Sequence, residues 1–534
     1  MLDLLKQVNT LRGSMTLEEL QELVIKKISK QEIDNEFKDN STKEIIKQLE
    51  NKTVQELQSI YYDLQIMNRH SVSTYTESIE SLSLEIFKTY SNQNSLLDLG
   101  SGTGHMLWRA NKEGHFKYLR GEEINHNVAE ISEQLLSQSE TNIEIKKIDS
   151  TLNFGSNDKF ECIYSDALFL NADNKRLKQI EDSASNSYLK TRSKFSEWIF
   201  TNRILNNLED KGVGTIVVRN AATFTEMAKD IRKELIEKNL IKAVIQLPSN
   251  LITNTAIPTT LLILQKDNSD KITFIDASEI YTQKGRMQNT FEDENITTIM
   301  KAIEEETDIS VKVNKQEVKD NDYNLSPIRY LVNIEDRLVS PTELTNIVET
   351  IRGKDVSKKR LDEEESKDKS GYLLNLSDVK DYKIDTPKQQ ISQDILDEYE
   401  RYLLKPKDIV LSTRSSDLKI AIVTESLAKD NLIISSNFNI LRIKDDKVSP
   451  YYLFAFLTSE IGVEQLKQLM TGTVINVISQ KSLQEYKVSM LDEETQEDIA
   501  FKMEEELLEY YSYLKKVKNF KEKLPQLFNE NGGE

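Results

Sequence analysis

Short apolar runs alternate with helical stretches through the middle of this chain, and this alternation restricts the possible folds more than any other feature. The runs that have the length and composition of strands are Ser95–Leu99, Tyr118–Gly121, Ile143–Ile148, Phe160–Tyr164, Gly214–Val218, Ala243–Leu247 and Thr260–Leu264. Strands that are separated by helices of this length form βαβ units. We therefore expect an α/β domain in which a mostly parallel sheet is covered by helices on both faces.

The chain is too long for a single hydrophobic core, because cores stop growing at roughly 250 to 300 residues and this chain has 534. Changes in hydrophobic pattern and composition along the sequence predict four segments. They are a helical N-terminal region over residues 1–70, a Rossmann-like domain over 71–330, an α+β domain over 340–490 and a long amphipathic C-terminal helix over 491–534. In the α+β domain, we expect strands at Ile409–Ser412, Ala421–Thr424 and Asn439–Ile443 and a solvated loop over Arg352–Ser370.

Composition excludes several kinds of protein. The one cysteine, Cys162, allows no internal disulfide, and the four histidines have no metal-ligand spacing. No run of roughly 18 apolar residues is present and no apolar signal core follows Met1, so we expect a cytoplasmic protein without membrane contact. The net charge of -19 does not suit non-specific coating of nucleic acid, so any contact with DNA has to come from local basic patches.

The first predicted strand runs into a glycine-rich turn, Gly-Ser-Gly-Thr-Gly, and a helix is expected to begin near His105. Glycine lets the backbone turn sharply and approach a ligand closely. The three glycines are Gly100, Gly102 and Gly104. They are not followed by the Lys-Ser or Lys-Thr pair that a phosphate-binding P-loop requires. The turn therefore favours an adenosyl cofactor over a nucleoside triphosphate.

Carboxylates are expected beside this turn. Asp98 lies near the end of the first strand, where it can reach a cationic ammonium group, and Glu123 follows the second strand, where it can accept from both ribose hydroxyls. This arrangement predicts a pocket for S-adenosylmethionine. Asp149, after the third strand, would accept from the adenine amino group or cap a following helix. Thr76, in Tyr75-Thr-Glu77, would close over the methionine end or belong to a simple turn.

Several separated stretches resemble, in order, the modification subunits of type I restriction-modification systems and related adenine-N6 DNA methylases. The resemblance covers about residues 71–330. It is carried by Arg120-Gly-Glu-Glu-Ile-Asn125, Val244-Ile-Gln-Leu-Pro-Ser-Asn-Leu251, Thr255-Ala-Ile-Pro-Thr259, Phe274-Ile-Asp-Ala-Ser278, Gly285-Arg-Met-Gln-Asn289, Tyr323-Asn-Leu325 and Arg329-Tyr330. It implies a class I methyltransferase fold that binds S-adenosylmethionine and methylates adenine N6 at a defined sequence of double-stranded DNA.

The resemblance breaks down at the motif that receives the target base. The family carries Asn-Pro-Pro followed by Phe or Tyr after its fourth strand, and this chain has Asp166-Ala-Leu-Phe169. The resemblance makes Asp166 the acceptor for the adenine amino group and Phe169 the ring that stacks on a flipped base. Two prolines that would hold the backbone are missing, and Arg219-Asn-Ala-Ala222 replaces a Pro-Asn-Gly-like turn. Two hypotheses therefore stay open: an active methyltransferase, and a weak or inactive DNA-recognising subunit of a defence complex.

Residues from Leu344 onward resemble one half of a specificity subunit of the type I systems. The matching stretches are Leu344–Gly353, Lys407–Arg414, Lys419–Val423, Thr471–Leu483 and Asp492–Gln496. The resemblance implies a target recognition domain that reads double-stranded DNA. Basic residues in or beside its loops suit guanine edges and phosphates. The candidates, each of which could instead be a solvated charge, are Arg352, Lys358, Lys359, Arg360, Arg414 and Lys419.

The C-terminal helix has an apolar stripe that has to bury against another surface. The stripe consists of Ile499, Met503, Leu507, Tyr510, Leu514 and Val517. In specificity subunits the equivalent helices pair two halves, so a single half predicts a homodimer that reads a split, symmetric sequence. Packing on the chain's own methylase domain is the alternative. The sequence contains no helicase P-loop, so cleavage of DNA would need restriction or other defence subunits as partners.

Overall fold

The computed structural model describes residues 16–31, 40–67, 76–154, 157–166, 174–184, 187–190, 195–252, 257–266, 268–285, 288–331, 334–363, 368–385, 387–415, 417–444, 447–471 and 476–523. The chain divides into two compact units, Met1–Leu331 and Val332–Glu534. Each unit has buried hydrophobic cores of its own. Within the described ranges, no helix has the length and apolar character of a membrane span.

One large sheet organises the first unit. Its strands and an adjoining hairpin, β9 with β10, are β1 (Ser95–Leu99), β2 (Tyr118–Glu123), β3 (Asn142–Lys147), β4 (Phe160–Ser165), β5 (Leu208–Arg219), β6 (Ile241–Gln246), β7 (Thr259–Leu264), β8 (Lys271–Asp276), β9 (Thr282–Gly285), β10 (Gln288–Thr290) and β11 (Ser310–Asn314). The sheet has nine strands in the order β11-β8-β6-β7-β5-β4-β1-β2-β3. Neighbours from β3 to β5 are parallel, whereas β7 is antiparallel to β5 and β6. The predicted strands and the mostly parallel sheet are confirmed.

Helices cover both faces of this sheet. They are α1 (Leu17–Ile28), α2 (Asn40–Glu50), α3 (Val54–Met67), α4 (Glu77–Tyr90), α5 (His105–Glu113), α6 (His126–Leu136), α7 (Asn174–Ser183), α8 (Ser196–Asn207), α9 (Lys229–Glu237), α10 (Asp293–Glu304), α11 (Lys315–Asp320) and α12 (Ile328–Leu331). Successive residues of β1 enter different cores, because side chains alternate between the faces of a strand. Leu96 packs in the core that α1 to α6 share, and Leu97 packs in the core that contains Trp198 of α8.

The predicted N-terminal helices belong to the first of these two cores. Helix α1 begins after Thr16, whose hydroxyl accepts from the Glu19 amide while the Glu19 carboxylate accepts from the Thr16 amide. This reciprocal capping satisfies two backbone donors that a helix otherwise leaves open. The buried face of α1 carries Leu20, Val24 and Ile28, which pack in the core of the sheet. The described helices before residue 68 are therefore a layer of the first unit.

The second unit mixes short strands and helices. Its strands are β12 (Thr342–Glu343), β13 (Val348–Arg352), β14 (Lys369–Leu374), β15 (Val379–Lys380), β16 (Lys383–Ile384), β17 (Gln389–Ser392), β18 (Ile409–Ser412), β19 (Arg414–Ser415), β20 (Ile420–Ile422), β21 (Leu432–Ile434), β22 (Phe438–Ile443), β23 (Met470–Thr471), β24 (Asn476–Ile478) and β25 (Lys487–Val488). Its helices are α13 (Leu344–Ile347), α14 (Lys358–Glu363), α15 (Gln393–Glu398), α16 (Glu425–Ala428), α17 (Pro450–Thr458), α18 (Glu460–Leu469), α19 (Gln480–Gln484) and α20 (Glu493–Lys523). The main sheet has four antiparallel strands in the order β13-β22-β18-β20.

The three strands predicted for this unit are present as β18, β20 and β22. The solvated loop predicted over residues 352–370 is wrong in part, because the segment contains helix α14 and the first residues of β14. The helix forms because the Ser357 hydroxyl accepts from the Arg360 amide and because Leu361 packs against the small core of Ile391 and Ile395. An apolar anchor and a capping serine therefore outweigh the high charge of the segment.

The long helix α20 buries only the first part of its predicted stripe. Ile499, Met503 and Leu507 pack in the core that includes α17, whereas Val517 is 49% exposed. The first part of the stripe therefore packs within the second unit itself.

Breaking a buried ion pair of the first unit is expected to destabilise the protein strongly. Glu122 Oε1 and Arg203 Nη2 lie 3.0 Å apart, and each side chain is 1% exposed. Glu122→Gln would leave a buried guanidinium without its counter-charge, so we expect the free energy of unfolding in denaturant titrations to fall by about 3 to 5 kcal/mol. The matched control is Asp158→Asn, because Arg120 keeps Glu144 as a second partner; this change should cost under about 1 kcal/mol. Equal effects of the two variants would contradict the prediction.

Candidate functional site

The carboxyl ends of β2, β1 and β4 lie side by side, because these strands are parallel neighbours in the sheet. In an open parallel sheet, ligands bind in the crevice at the carboxyl ends of the strands. Asp98, Glu123 and Asp166, which were predicted from the sequence as site residues, all lie at this edge.

The turn after β1 depends on its glycines. Gly100, Gly102 and Gly104 have φ values of 80°, 53° and 82°, which other residues rarely adopt. A Cβ atom on Gly104 would lie 2.4 Å from Ser132 Oγ, so a side chain at this position does not fit. Helix α5 begins directly afterwards at His105, as predicted. The turn therefore brings bare backbone to the carboxyl edge of the sheet.

The Glu123 carboxylate lies against this turn. The Gly102 amide donates to its Oε2 atom at 3.0 Å, and the Asn125 amide donates to its Oε1 atom at 2.7 Å. These two bonds hold the carboxylate at the end of β2, beside the glycines. An acidic side chain in this place is suited to accept hydrogen bonds from ribose hydroxyls.

A small cavity behind the turn brings the other predicted residues together. Its lining includes Glu80, Asp98, His105, Tyr164 and Asp166. Asp166 Oδ2 accepts from Thr76 Oγ1 at 3.1 Å and from the Tyr164 hydroxyl at 3.2 Å. The structure thus joins Thr76, from the segment before α4, to Asp166, which follows β4. Phe169, the predicted stacking ring, lies outside the described residues.

Burial and mutual repulsion raise the pKa values of two carboxyl groups of this cavity, Asp98 and Asp166. Burial raises the pKa of Asp98 well above its usual range, and the charges of Asp166, Glu80 and Glu123 add to this shift. Burial, followed by the charge of Glu80, raises the pKa of Asp166 to about 7, against the lowering effect of the hydrogen bonds from Thr76 and Tyr164. Both shifts would be relieved by a cation in the cavity. The electrostatics therefore favour a positively charged ligand.

The ionisable residues of the cavity that were not predicted as site residues are Glu80, His105 and Tyr164. Glu80 is 2% exposed, and its Oε2 atom lies 2.5 Å from His105 Nδ1. Tyr164 is buried and donates to Asp166. The available signal was the helical spacing of α4, which places Glu80 on the same face as the apolar Leu84 and Phe87. A carboxylate on such a face needs a partner, and this points to a site.

Asp149 has a different setting from the other carboxylates. Its Oδ1 atom accepts from the Thr151 amide at 3.0 Å and from the Thr151 hydroxyl at 2.6 Å, and its Oδ2 atom pairs with Arg176. Turns rather than a helix follow Asp149, so the predicted helix cap is wrong. The side chain closes an Asx turn, because the short carboxylate reaches the amide two residues on.

The six basic candidates of the second unit are separated by the structure. Arg352 and Arg414 line one cavity, of about 240 Å³. Lys419 is occupied elsewhere, because its ammonium group donates to the carbonyls of Leu376 and Val379 at 3.0 and 2.7 Å. The other three lie on α14 and are Lys358, Lys359 and Arg360. Of these, Lys359 pairs with Glu363 and Arg360 with Glu398 at 3.8 and 3.7 Å.

The fold and the edge of the sheet define a class of protein. The order β3-β2-β1-β4-β5-β7-β6, an antiparallel β7 and a glycine turn flanked by acids are the features of a class I S-adenosylmethionine-dependent methyltransferase fold. The family model of N-6 DNA methylases matches residues 68–337, and that of the type I restriction modification DNA specificity domain matches residues 342–506. The chain belongs to the N-6 DNA methylase family, and a specificity domain follows its methylase region.

Known relatives agree with these matches over shorter stretches. The chain is 33% identical over 150 residues to the type I restriction enzyme MjaVIII methylase subunit of Methanocaldococcus jannaschii, which is 26% of each chain. It is 32% identical over 130 residues to the MpnII methylase subunit of Mycoplasma pneumoniae, covering 23% of this chain and 24% of that one. The matched stretch thus spans about a quarter of the length of these curated relatives.

Two solved structures resemble the chain. The type I methyltransferase subunit of Streptococcus thermophilus is 22% identical with a TM-score of 0.48, and the match covers 60% of this chain and 78% of that one. The type IIG restriction endonuclease BpuSI is 13% identical with a TM-score of 0.49, and the match covers 92% of this chain and 68% of that one.

Proposed function

We propose that this protein is a DNA methyltransferase that transfers a methyl group from S-adenosylmethionine to adenine N6 at a sequence read by its own recognition domain. The observation that carries the proposal is the convergence of Asp98 and Asp166 on one cavity at the glycine turn. Asp98 belongs to the predicted cofactor site and Asp166 to the predicted base site, so one cavity joins the two halves of a methyl transfer. Membership of the N-6 DNA methylase family supports the same conclusion.

The residues at this edge of the sheet fit this cofactor. S-adenosylmethionine carries an ammonium and a sulfonium cation, and it supplies the electrophilic methyl group. Asp98 would hold the ammonium group, Glu123 the ribose hydroxyls and the three glycines the close backbone approach. Asp149 would accept from the adenine amino group of the cofactor, beside its bonds to Thr151 and Arg176.

Asp166 would act on the substrate side of the reaction. Its free acceptor capacity suits the amino group of an adenine that has left the helix, and the hydrogen bond would direct the N6 lone pair towards the methyl group. Phe169 would stack on that base. The hydroxyls of Thr76 and Tyr164 fix the Asp166 carboxylate from one side. These donors offset the two missing prolines, because they hold the acceptor in place through its side chain.

Methyl transfer to mixed-sequence DNA tests the proposal. The purified chain is incubated with cofactor that carries a labelled methyl group, and the DNA is digested and analysed for N6-methyladenine. Label in that nucleoside is the expected result. Cofactor binding without any label in DNA would favour the second hypothesis, a DNA-recognising subunit of a defence complex without turnover. That hypothesis rests on the altered sequence at residues 166–169, and no comparison supports it.

Cofactor binding is expected to release protons near neutral pH. A cation in the cavity lowers the raised pKa values of Asp98 and Asp166, so binding drives ionisation, and affinity should increase as the pH rises through about 7. Calorimetry at pH 7 in two buffers with different ionisation enthalpies measures the protons released. Asp166→Asn, which cannot ionise, should release fewer. Identical binding enthalpies in the two buffers would contradict the expectation.

Helix α20 is proposed to pair two copies of the chain, as its resemblance to specificity subunits implies. Apolar side chains along the helix are exposed: Phe501 61%, Leu508 64%, Tyr513 55%, Val517 49% and Phe520 64%. Such a surface typically marks an interface. We expect the protein to be a dimer in light scattering. Val517→Glu with Phe520→Glu should make it a monomer that keeps the circular dichroism spectrum of the parent protein and melts at a somewhat lower temperature. Lys516→Glu with Lys521→Glu on the same helix is the control. A monomeric parent protein would exclude the dimer.

A further inference from the structure

The cavity of the second unit contains more than the two arginines that the sequence singled out. Its volume is about 240 Å³, and its polar lining comprises Arg352, Thr413, Arg414, Asn439, Ser479 and Gln480. Asn439 and Arg352 are direct partners on β22 and β13, so their side chains leave the sheet on the same face. Residues 477–480, which enclose the cavity from the other side, lead from β24 into α19.

Asn439 is the unusual residue of this cavity. Its side chain is completely buried, and neither its amide nitrogen nor its amide oxygen has a hydrogen-bond partner among the described residues. Two of its neighbours on the same face of the sheet, Leu411 and Leu441, are apolar and cannot supply one. A buried amide that lacks partners costs free energy, and native proteins rarely keep one without a use.

The two arginines bring positive charge to the same cavity. Arg352 and Arg414 are exposed, and their guanidinium groups have no ion pair or hydrogen bond with any described residue. Arg442 of the same sheet contrasts with them, because it pairs with Asp408 at 2.7 Å. The cavity lining therefore combines a buried amide and two exposed cations, and none of these groups has a side-chain partner among the described residues.

We propose that this cavity binds one nucleobase of the target DNA, taken out of the base stack, with Asn439 reading its edge. An asparagine amide matches adenine, whose N6 amino group and N7 atom present a donor and an acceptor side by side. Arg352 and Arg414 would hold the flanking phosphates. A simple anion would use only the amide nitrogen and would leave the amide oxygen without a partner. The base has to leave the helix, because a completely buried amide cannot meet the edge of a stacked one.

This inference rests on the proposed function, since it concerns how the recognition domain reads its sequence. Duplexes selected by the full-length parent protein from a random library define the preferred sequence. Asn439→Leu keeps the approximate volume and removes an amide that has no partner, so its melting temperature should equal or exceed that of the parent. The sequence that the variant selects should show no base preference at one position where the parent protein shows one. The affinity of the variant for the parent's sequence should fall about tenfold to a hundredfold. Arg401→Gln, an exposed charge that does not line the cavity, is the control and should leave both unchanged.

A second measurement works on the parent protein alone. Permanganate, which oxidises thymines that have lost their stacking, is applied to the complex, so that every adenine keeps the N6 amino group that Asn439 would read. We expect the reactivity to rise at the thymine opposite one adenine other than the one that is methylated, and Asn439→Leu should abolish this rise only. If the parent selects a sequence but no second base becomes unstacked and the variant selects the same sequence, the inference is overturned and the proposed function stands. If the parent selects no sequence, both are overturned.

Discussion

Asp166→Ala is expected to slow methyl transfer to DNA at least about a hundredfold, while affinity for the cofactor falls far less. The reason is positional: the variant removes the acceptor that would orient the adenine amino group, and misplacement of a reacting group by about an ångström has this order of effect. The hydroxyls of Thr76 and Tyr164 would remain, but the carboxylate that accepts their hydrogen bonds would be absent. Single-turnover rates with labelled cofactor measure the first effect and calorimetry the second. Comparable losses of rate and of affinity would place Asp166 in the cofactor site instead.

Asp166→Asn is the matched control, because the amide keeps an acceptor oxygen and cannot ionise. The pKa of Asp166 is raised to about 7 in the protein without ligand, so the rate of the parent protein at low cofactor concentration should increase as the pH rises from 6 to 8, and the rate of the variant should increase less. The stability effect has the opposite sign. A carboxyl group whose pKa lies above its ordinary value of 3.8 favours folding when protonated, and this contribution is lost as the pH rises through about 7. Asp166→Asn should therefore melt at a higher temperature than the parent at pH 8.

The sheet of the first unit was predictable because its strands are buried on both faces. Such strands are continuous apolar runs, and the predicted Ser95–Leu99 coincides with β1. The least accurate prediction is β5, which begins at Leu208, six residues before the predicted Gly214. Its first part carries Glu209, Asp210 and Lys211, which are polar because this end of the strand reaches solvent. The apolar pattern of the sequence locates the buried centre of a strand but not an end that carries charged residues.

Whether a site residue could be predicted depends on how far away in the sequence its partners lie. Asp98, Glu123 and the glycines are fixed by local order along two βα units, so they could be assigned from the sequence. Glu80 and Tyr164 could not, because their roles depend on how α4 packs against the ends of β1 and β4. Asn439 is hidden for a similar reason. It lies in a predicted strand, and nothing local shows that its amide is left without a partner.

Asp98→Asn is expected to weaken binding of S-adenosylmethionine about thirtyfold or more. Asp98 is 3% exposed, and removal of one member of a buried, hydrogen-bonded charge pair commonly costs this much affinity. Burial raises the pKa of Asp98 well above its usual range, and a cation bound beside it would lower that pKa and favour the carboxylate. The amide keeps the shape of the side chain but cannot supply that charge. Calorimetry at constant pH measures the loss.

The demethylated product, S-adenosylhomocysteine, identifies which cation Asp98 meets. It keeps the ammonium group and lacks the sulfonium charge. If Asp98 binds the ammonium group, Asp98→Asn therefore lowers the affinity for both compounds by the same factor. We expect this equal loss. Glu130→Gln is the charge-matched control, because Glu130 is 57% exposed and pairs with Lys147 on the surface; it should bind both compounds as the parent does. A loss confined to S-adenosylmethionine would place Asp98 beside the sulfur, and unchanged affinity for both would remove it from the cofactor site.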